Sequence, residues 1–234
     1  MGRGGRGGTN LVRVSAANTE TVAAAYDGVA ELYTNLFRDA MMQQPVDRAV
    51  LAIFAELAQA GPPGMVADLG CGPGRVTGHL DGLGLPVFGL DASAEMIRMA
   101  REVHPHLRFE HAPMEHLAVA DGELAAIVAW YSIIHMPPEQ LPDVFAEFAR
   151  ALAPGGLLQL AFQATADGVD RQPYDHKVAP VTQWSPSRLV ELLRPAGFTP
   201  ITRTVREAGP DERTPHGYLL VRKSAGSEAV AGDS

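Results

Sequence analysis

The chain has a single cysteine, Cys71, in 234 residues. No internal disulfide can form, so the expected setting is a reducing cytoplasm. No run of about 18 apolar residues is present, and no apolar signal core follows Met1; the expectation is a soluble protein with no membrane partner. Basic residues are also short: Lys and Arg number 19 against 27 Asp and Glu, a formal net charge of −8. That balance disfavours a nucleic-acid backbone as partner. His, Cys, Asp and Glu show no metal-ligand spacing, so no metal is expected. Two phosphate signatures are missing as well. The glycine turn at Gly70 lacks the third glycine of G-x-G-x-x-G, because position 75 is arginine, and no Gly-Lys-Ser/Thr follows it.

What is present is Val66-Ala67-Asp68-Leu69-Gly70-Cys71-Gly72-Pro73-Gly74-Arg75, an apolar strand ending in an acid and then a glycine turn that opens a helix. About 20 residues on, Gly89-Leu90-Asp91-Ala92-Ser93 reads as a second strand ending in an acid. Together they describe a nucleotide-like ligand held across the carboxyl ends of two parallel strands. Gly70, Gly72 and Gly74 let the backbone turn tightly and lie against that ligand. Asp68, just before the turn, would repel a phosphate and attract an amino group or a sulfonium. Asp91 sits where a carboxylate accepts two ribose hydroxyls, or else caps the helix that follows.

Length and a hydrophobic share of 46% fit one α/β domain with a sizeable core. Residues 1–18, with Gly2-Arg3-Gly4-Gly5-Arg6-Gly7-Gly8, read as a disordered leader, and residues 224–234 as a disordered tail. The domain itself spans 19–223. Asn18 or Thr19 caps a helix carrying Val22, Tyr26, Val29, Ala30 and Tyr33. A second helix over Pro45–Ala60 turns Val46, Val50, Ile53, Phe54 and Leu57 inward, and the region 19–62 forms a helical cap. Strands and helices then alternate. Strands are expected at Met65–Leu69, Pro86–Leu90, Leu107–His111, Leu124–Tyr131 and Leu157–Gln163. Helices are expected at Arg75–Asp81, Ala94–Val103, Pro138–Leu152 and Pro186–Pro195. Phe198–Val205 and Gly217–Arg222 pair as an edge hairpin. Such alternation implies a doubly wound sheet. The interruption at 164–184 reads as a substrate loop.

Val66 to Arg75, Gly89 to Ser93 and Leu152-Ala153-Pro154-Gly155-Gly156 resemble the class I S-adenosylmethionine-dependent methyltransferases over roughly residues 20 to 223. Gly209-Pro210-Asp211-Glu212-Arg213-Thr214-Pro215-His216-Gly217-Tyr218-Leu219-Leu220 resembles the last hairpin of actinobacterial small-molecule members. The resemblance implies a Rossmann-like sheet of seven strands in the order 3-2-1-4-5-7-6. It also implies S-adenosylmethionine as cofactor and S-adenosylhomocysteine as product. The expected activity is methyl transfer to a small-molecule acceptor, with oxygen ahead of nitrogen and carbon. The alternative is a protein that binds the cofactor on this fold without methylating. The N-terminal helices offer a homodimer surface.

Further site residues follow from that resemblance. Asp68 would meet the cofactor's amino group, Asp91 its ribose, and Met96 its adenine, unless Met96 is a plain core residue; Ala92 is a further cofactor-binding candidate. Pro113 stands where relatives often carry an acid, so Met114 and Glu115 would take over that contact. Ala125 replaces another common acid. Trp130 ends the fourth strand on the cofactor side and Tyr131 on the acceptor side. His135 is the candidate general base, or a capping residue. Tyr26 and Tyr33 would close over the methionine end of the cofactor or pack in the core. Tyr174 and His176 are the loop's candidates for acceptor contact. Cys71 reads as a small side chain inside the turn.

Overall fold

The computed structural model describes residues 8–30, 44–176, 178–210 and 212–225. The helices are α1 Gly8–Asp27, α2 Pro45–Gln59, α3 Arg75–Gly82, α4 Ala94–Val103, α5 Leu141–Ala151 and α6 Pro186–Leu193. The first five strands are β1 Met65–Leu69, β2 Val87–Asp91, β3 Arg108–His111, β4 Leu124–Trp130 and β5 Leu152–Gln163. They are followed by β6 Arg171–Tyr174, β7 Val181–Trp184, β8 Phe198–Arg206 and β9 His216–Lys223. Seven strands form one sheet in the order β3-β2-β1-β4-β5-β9-β8. Pairing is parallel from β3 through β5, then antiparallel for β9 and β8. With the β6–β7 hairpin set aside as an insertion, this is the expected order 3-2-1-4-5-7-6.

The central strand shows why the sheet is covered on both sides. Leu124 to Ala129 of β4 are all buried, and no polar residue alternates with them. Ile127 and Ala129 join the core under α5 and α6, whereas Ala126 and Val128 join the core under α2 and α3. Phe145 and Phe148 of α5 are fully buried, each contributing roughly 1.5–3 kcal/mol. The strand order reverses between β1 and β4, and a crevice opens at their carboxyl ends. Among the described residues, no helix is long and apolar enough to cross a membrane.

The N-terminal helix begins at Gly8, well before the expected cap at Asn18 or Thr19. No proline or glycine interrupts the chain between Gly8 and Gly28, so nothing stops the helix from running through. Tyr33 lies outside the described residues. The buried face of α2 is also turned from the expected one: Asp47, Leu51, Phe54, Ala55 and Ala58 face inward, and Ile53 is 48% exposed. The hydroxyl of Tyr218 donates to Asp47, and two alanines let the helix sit close. Strand β5 starts at Leu152 and accommodates the Pro154-Gly155-Gly156 break as an irregularity in its pairing with β4. The segment 164–184 carries an antiparallel hairpin, and its Trp184 is 1% exposed. Trp184 is thus a core residue.

Candidate active site

The glycine turn and the ends of β1, β2 and β4 form the floor and walls of one cavity, and α1 lies across its top. Gly70 has φ of 72°, and a Cβ there would stand 2.4 Å from Cβ of Ser132. Only glycine lets β1 leave the sheet so close to the residue following Tyr131. The hydroxyl of Ser132 donates to the Leu69 carbonyl at 2.7 Å and fixes that approach. Gly74, with φ of 81°, is different. It opens α3, and a Cβ would meet the Phe109 ring at 2.9 Å. The cavity wall does not include Gly74; its contribution is the packing of α3 on β3.

Asp91 holds the turn from the side. Its Oδ2 accepts from the Gly72 N–H at 2.8 Å and its Oδ1 from the Ser93 N–H at 2.8 Å. Burial lifts its carboxyl above the usual range, and those two donors work against the rise. The helix cap is Ser93, whose hydroxyl accepts from the Met96 N–H at 3.1 Å, so Asp91 is not needed for capping. Ala92 and the buried Met96 line the cavity beside it.

Asp68 is 1% exposed. Thr77 donates to its Oδ2 at 2.6 Å, but its Oδ1 is buried with no hydrogen-bond partner. Burial is the main cause that raises its carboxyl to about 7. An isolated buried carboxylate oxygen is costly, and a cation donating into the cavity would satisfy it. Cys71, in the same turn, is buried, and burial with Asp91 and Asp68 nearby holds its thiol protonated.

The roof is tied down at four points. Asn18 donates to the His135 carbonyl at 3.1 Å, Thr19 donates to Glu115, and the Tyr26 hydroxyl lies 2.9 Å from His135 Nε2. Asp27 at the end of α1 accepts from the Ser93 hydroxyl at 2.5 Å. His135 sits in a short turn after β4. Burial, then the neighbouring His176, depresses its imidazolium to about 4, with the Pro180 carbonyl in partial opposition.

Tyr26, Asp68, Gly70, Gly72, Asp91, Ala92, Met96, Met114, Glu115, Trp130, Tyr131 and His135 all line this cavity. The structure does not bring Tyr174 and His176 to its wall. The hydroxyl of Tyr174 accepts from Arg213 Nε at 2.8 Å, with the guanidinium over its ring. The His176 ring stands behind His135, with ring centroids 6.1 Å apart. Sequence reasoning missed Ser132, Arg75 and Val22 as wall residues. It also gave Asn18 and Thr19 to capping, because a capping residue and a roof residue look alike without the third dimension.

Residues 66–156 match a family model described as a methyltransferase domain. Over these residues the chain carries a methyltransferase domain. A malonyl-[acyl-carrier protein] O-methyltransferase of Pectobacterium atrosepticum is 31% identical over 151 residues, covering 64% of this chain and 55% of the relative. A trans-aconitate 2-methyltransferase of Rhodopseudomonas palustris is 34% identical over 107 residues, covering 45% of this chain and 41% of the relative. The chain thus spans about half the length of the curated relatives it matches. Among solved structures, the 1,6-didemethyltoxoflavin-N1-methyltransferase of Burkholderia thailandensis, with bound S-adenosylhomocysteine, superposes with a TM-score of 0.66 at 23% identity. That match covers 88% of this chain and 90% of the other. The [4+2]-cyclase SpnF superposes with a TM-score of 0.70 at 15% identity, covering 89% and 97%. At these identities the likeness concerns the fold.

The methyltransferase domain's cavity fits S-adenosylmethionine by its own chemistry. The orphaned Oδ1 of Asp68 suits an ammonium donor, and Asp91 retains acceptor capacity on each oxygen for hydroxyls. Gly70 and Gly72 line the cavity between the two acids, and a Cβ at Gly72 would meet no protein atom within 4 Å.

Proposed function

We propose that the protein transfers a methyl group from S-adenosylmethionine to an oxygen of a small-molecule acceptor. The observation that carries the reading is the pair Asp68 and Asp91 on one cavity wall, the first with a buried, unpartnered oxygen. Asp68 holds the amino end of the cofactor, Asp91 its ribose, and Met96, Met114 and Glu115 surround its base. Bound S-adenosylmethionine supplies a methyl already activated by the sulfonium. The residues therefore have to align the acceptor and exclude water. Tyr26 and the rest of α1 do the second, because the roof closes on His135, Glu115 and Ser93. We assign His135 to latching this roof. Its Nε2 faces Tyr26, and an imidazole depressed to about 4 is a weak base at neutral pH. A relative whose name gives an O-methyltransferase supports an oxygen acceptor.

Calorimetric titration with S-adenosylmethionine, S-adenosylhomocysteine and NAD tests the first half. Micromolar binding of the adenosyl ligands and none of NAD is expected. Absence of adenosyl binding would overturn the reading. Tight binding with no methyl transfer to any acceptor would move the protein to the non-methylating alternative.

A further inference from the structure

From the β4 end of the cavity towards β9 runs a chain of polar groups not assigned above to the cofactor. Tyr131, the residue after β4, lines the cavity and has φ of 55°, the only positive φ at a non-glycine among the described residues. A bulky residue in the left-handed region costs on the order of 1–3 kcal/mol and persists where the surroundings hold it there. What holds it is visible. The Tyr131 N–H donates to the Ala161 carbonyl at 2.9 Å, and its hydroxyl lies 2.5 Å from His216 Nδ1 on β9. On the far side of the imidazole, His216 Nε2 lies 3.2 Å from Glu212 Oε1. Arg206 grips the same carboxylate with both terminal nitrogens, at 2.6 and 2.8 Å, and the Gly209 N–H adds a bond at 2.7 Å.

The contacts to Glu212 set the tautomer of His216. Glu212 is held ionised, its carboxyl drawn down to about 2 chiefly by Arg206, so it can only accept. His216 Nε2 must then carry the hydrogen. Burial keeps the imidazole neutral, which leaves Nδ1 bare. The Tyr131 hydroxyl accordingly donates to Nδ1; the Tyr218 hydroxyl, which donates to Asp47, lies beside the same oxygen, which keeps a lone pair for a further donor. Carboxylate, imidazole and hydroxyl stand in the order that activates a hydroxyl in acyl-transfer enzymes, but here the hydroxyl is a phenol in the acceptor half of a methyltransferase cavity.

We infer that Tyr131, His216 and Glu212 form a proton relay that deprotonates a hydroxyl-bearing acceptor, such as a phenol, as that acceptor is methylated. The inference rests on the methyl-transfer reading above. The acceptor's O–H proton passes to the Tyr131 oxygen while Tyr131's own proton passes to His216 Nδ1. The resulting imidazolium is neutralised by Glu212, and the acceptor's O–H electron pair becomes available to form the new C–O bond. The methyl leaves sulfur with the bonding pair remaining on sulfur, and the proton on His216 returns to solvent after product leaves. Tyr131 touches the acceptor; His216 and Glu212 act through it.

The test uses the full chain and two measurements. The first is 15N NMR of His216 at pH 7.5 with S-adenosylhomocysteine bound. The neutral Nε2–H form is expected in wild type, and Glu212→Gln should lose that preference while binding S-adenosylhomocysteine as before. A wild-type Nδ1–H form would overturn the relay. The second is methyl transfer from S-adenosylmethionine to a panel of phenols graded in acidity and of simple carboxylic acids. General-base assistance is worth roughly 10²–10⁴-fold. In His216→Gln and Tyr131→Phe, the loss on weakly acidic phenols should therefore exceed the loss on acceptors already ionised at the assay pH by at least about 30-fold. Equal losses on both groups, or wild-type turnover confined to ionised acceptors, would overturn the relay alone. No product from any acceptor with cofactor bound would end the methyl-transfer reading, and the relay with it.

Discussion

The Tyr26 hydroxyl and His135 Nε2, 109 residues apart in sequence, meet at 2.9 Å with their rings edge to face. This contact joins the N-terminal helix to the end of β4 directly over the cofactor cavity. Together with the Asn18, Thr19 and Asp27 contacts, it holds α1 over the cavity by a hydrogen bond to a buried, neutral imidazole. Tyr26→Phe keeps the ring and removes the bond. A net hydrogen bond of this kind is worth about 1 kcal/mol, so affinity for S-adenosylhomocysteine should fall about 5- to 10-fold, read by calorimetry. Undiminished affinity would separate α1 from cofactor retention.

Asp91 is expected to matter more, because its carboxylate serves both the ligand and the turn. Asp91→Ala removes the acceptor for the Gly72 and Ser93 N–H groups and the two partners of the ribose. Affinity for S-adenosylhomocysteine should drop by at least about 100-fold, equivalent to about 2.7 kcal/mol. Asp91→Asn, which keeps one acceptor oxygen, should fall between the two. Wild-type binding by Asp91→Ala would remove the ribose from this wall.

Much of this was readable before any coordinates, for identifiable reasons. The glycine turn and the two strand-ending acids are local signals, and they carried Asp68, Gly70, Gly72 and Asp91 to one cavity. The parallel core followed from unbroken apolar runs such as Leu124 to Ala129. The failures are contacts between distant segments. Ile53 reads as inward by periodicity, but the bond from Tyr218 turns Asp47 into the core instead. Gly74 looks like its two neighbours in the motif, yet only its packing on Phe109 shows that it serves α3. His216 and Tyr218 stand two apart on β9, which places them on one face of the strand. That spacing was a usable signal for the polar network beside Tyr131.

Asp68 yields a prediction about pH. Its carboxyl is raised from 3.8 to about 7, so the native protein binds more protons than the unfolded chain between those values. Its contribution to stability is present in full below the unfolded value and is lost as pH rises through about 7. The free protein should therefore lose stability from pH 4 towards pH 7 on account of this group, by up to about 4 kcal/mol. Asp68→Asn should flatten that dependence and raise the melting temperature of the free protein at pH 8. The same change should weaken S-adenosylhomocysteine binding, because the amino group loses its anionic partner. A variant with unchanged affinity would show that the orphaned oxygen does not face the ligand's amine.

Gly70 gives the most direct test of how the turn is built. At φ of 72° an L side chain pays about 1–2 kcal/mol, and the added carbon would press on Ser132 from 2.4 Å. Overpacking adds about 1–3 kcal/mol, so Gly70→Ala should lose about 2–5 kcal/mol in urea unfolding. The conflict is specific to Ser132 Cβ, and that residue also anchors the Leu69 carbonyl. Replacing Ser132 by glycine in the Gly70→Ala background removes the clash but not the left-handed backbone. The double variant should recover the overpacking share and keep the backbone share. Full additivity of the two changes would mean that the strand and the turn do not meet where the structure places them.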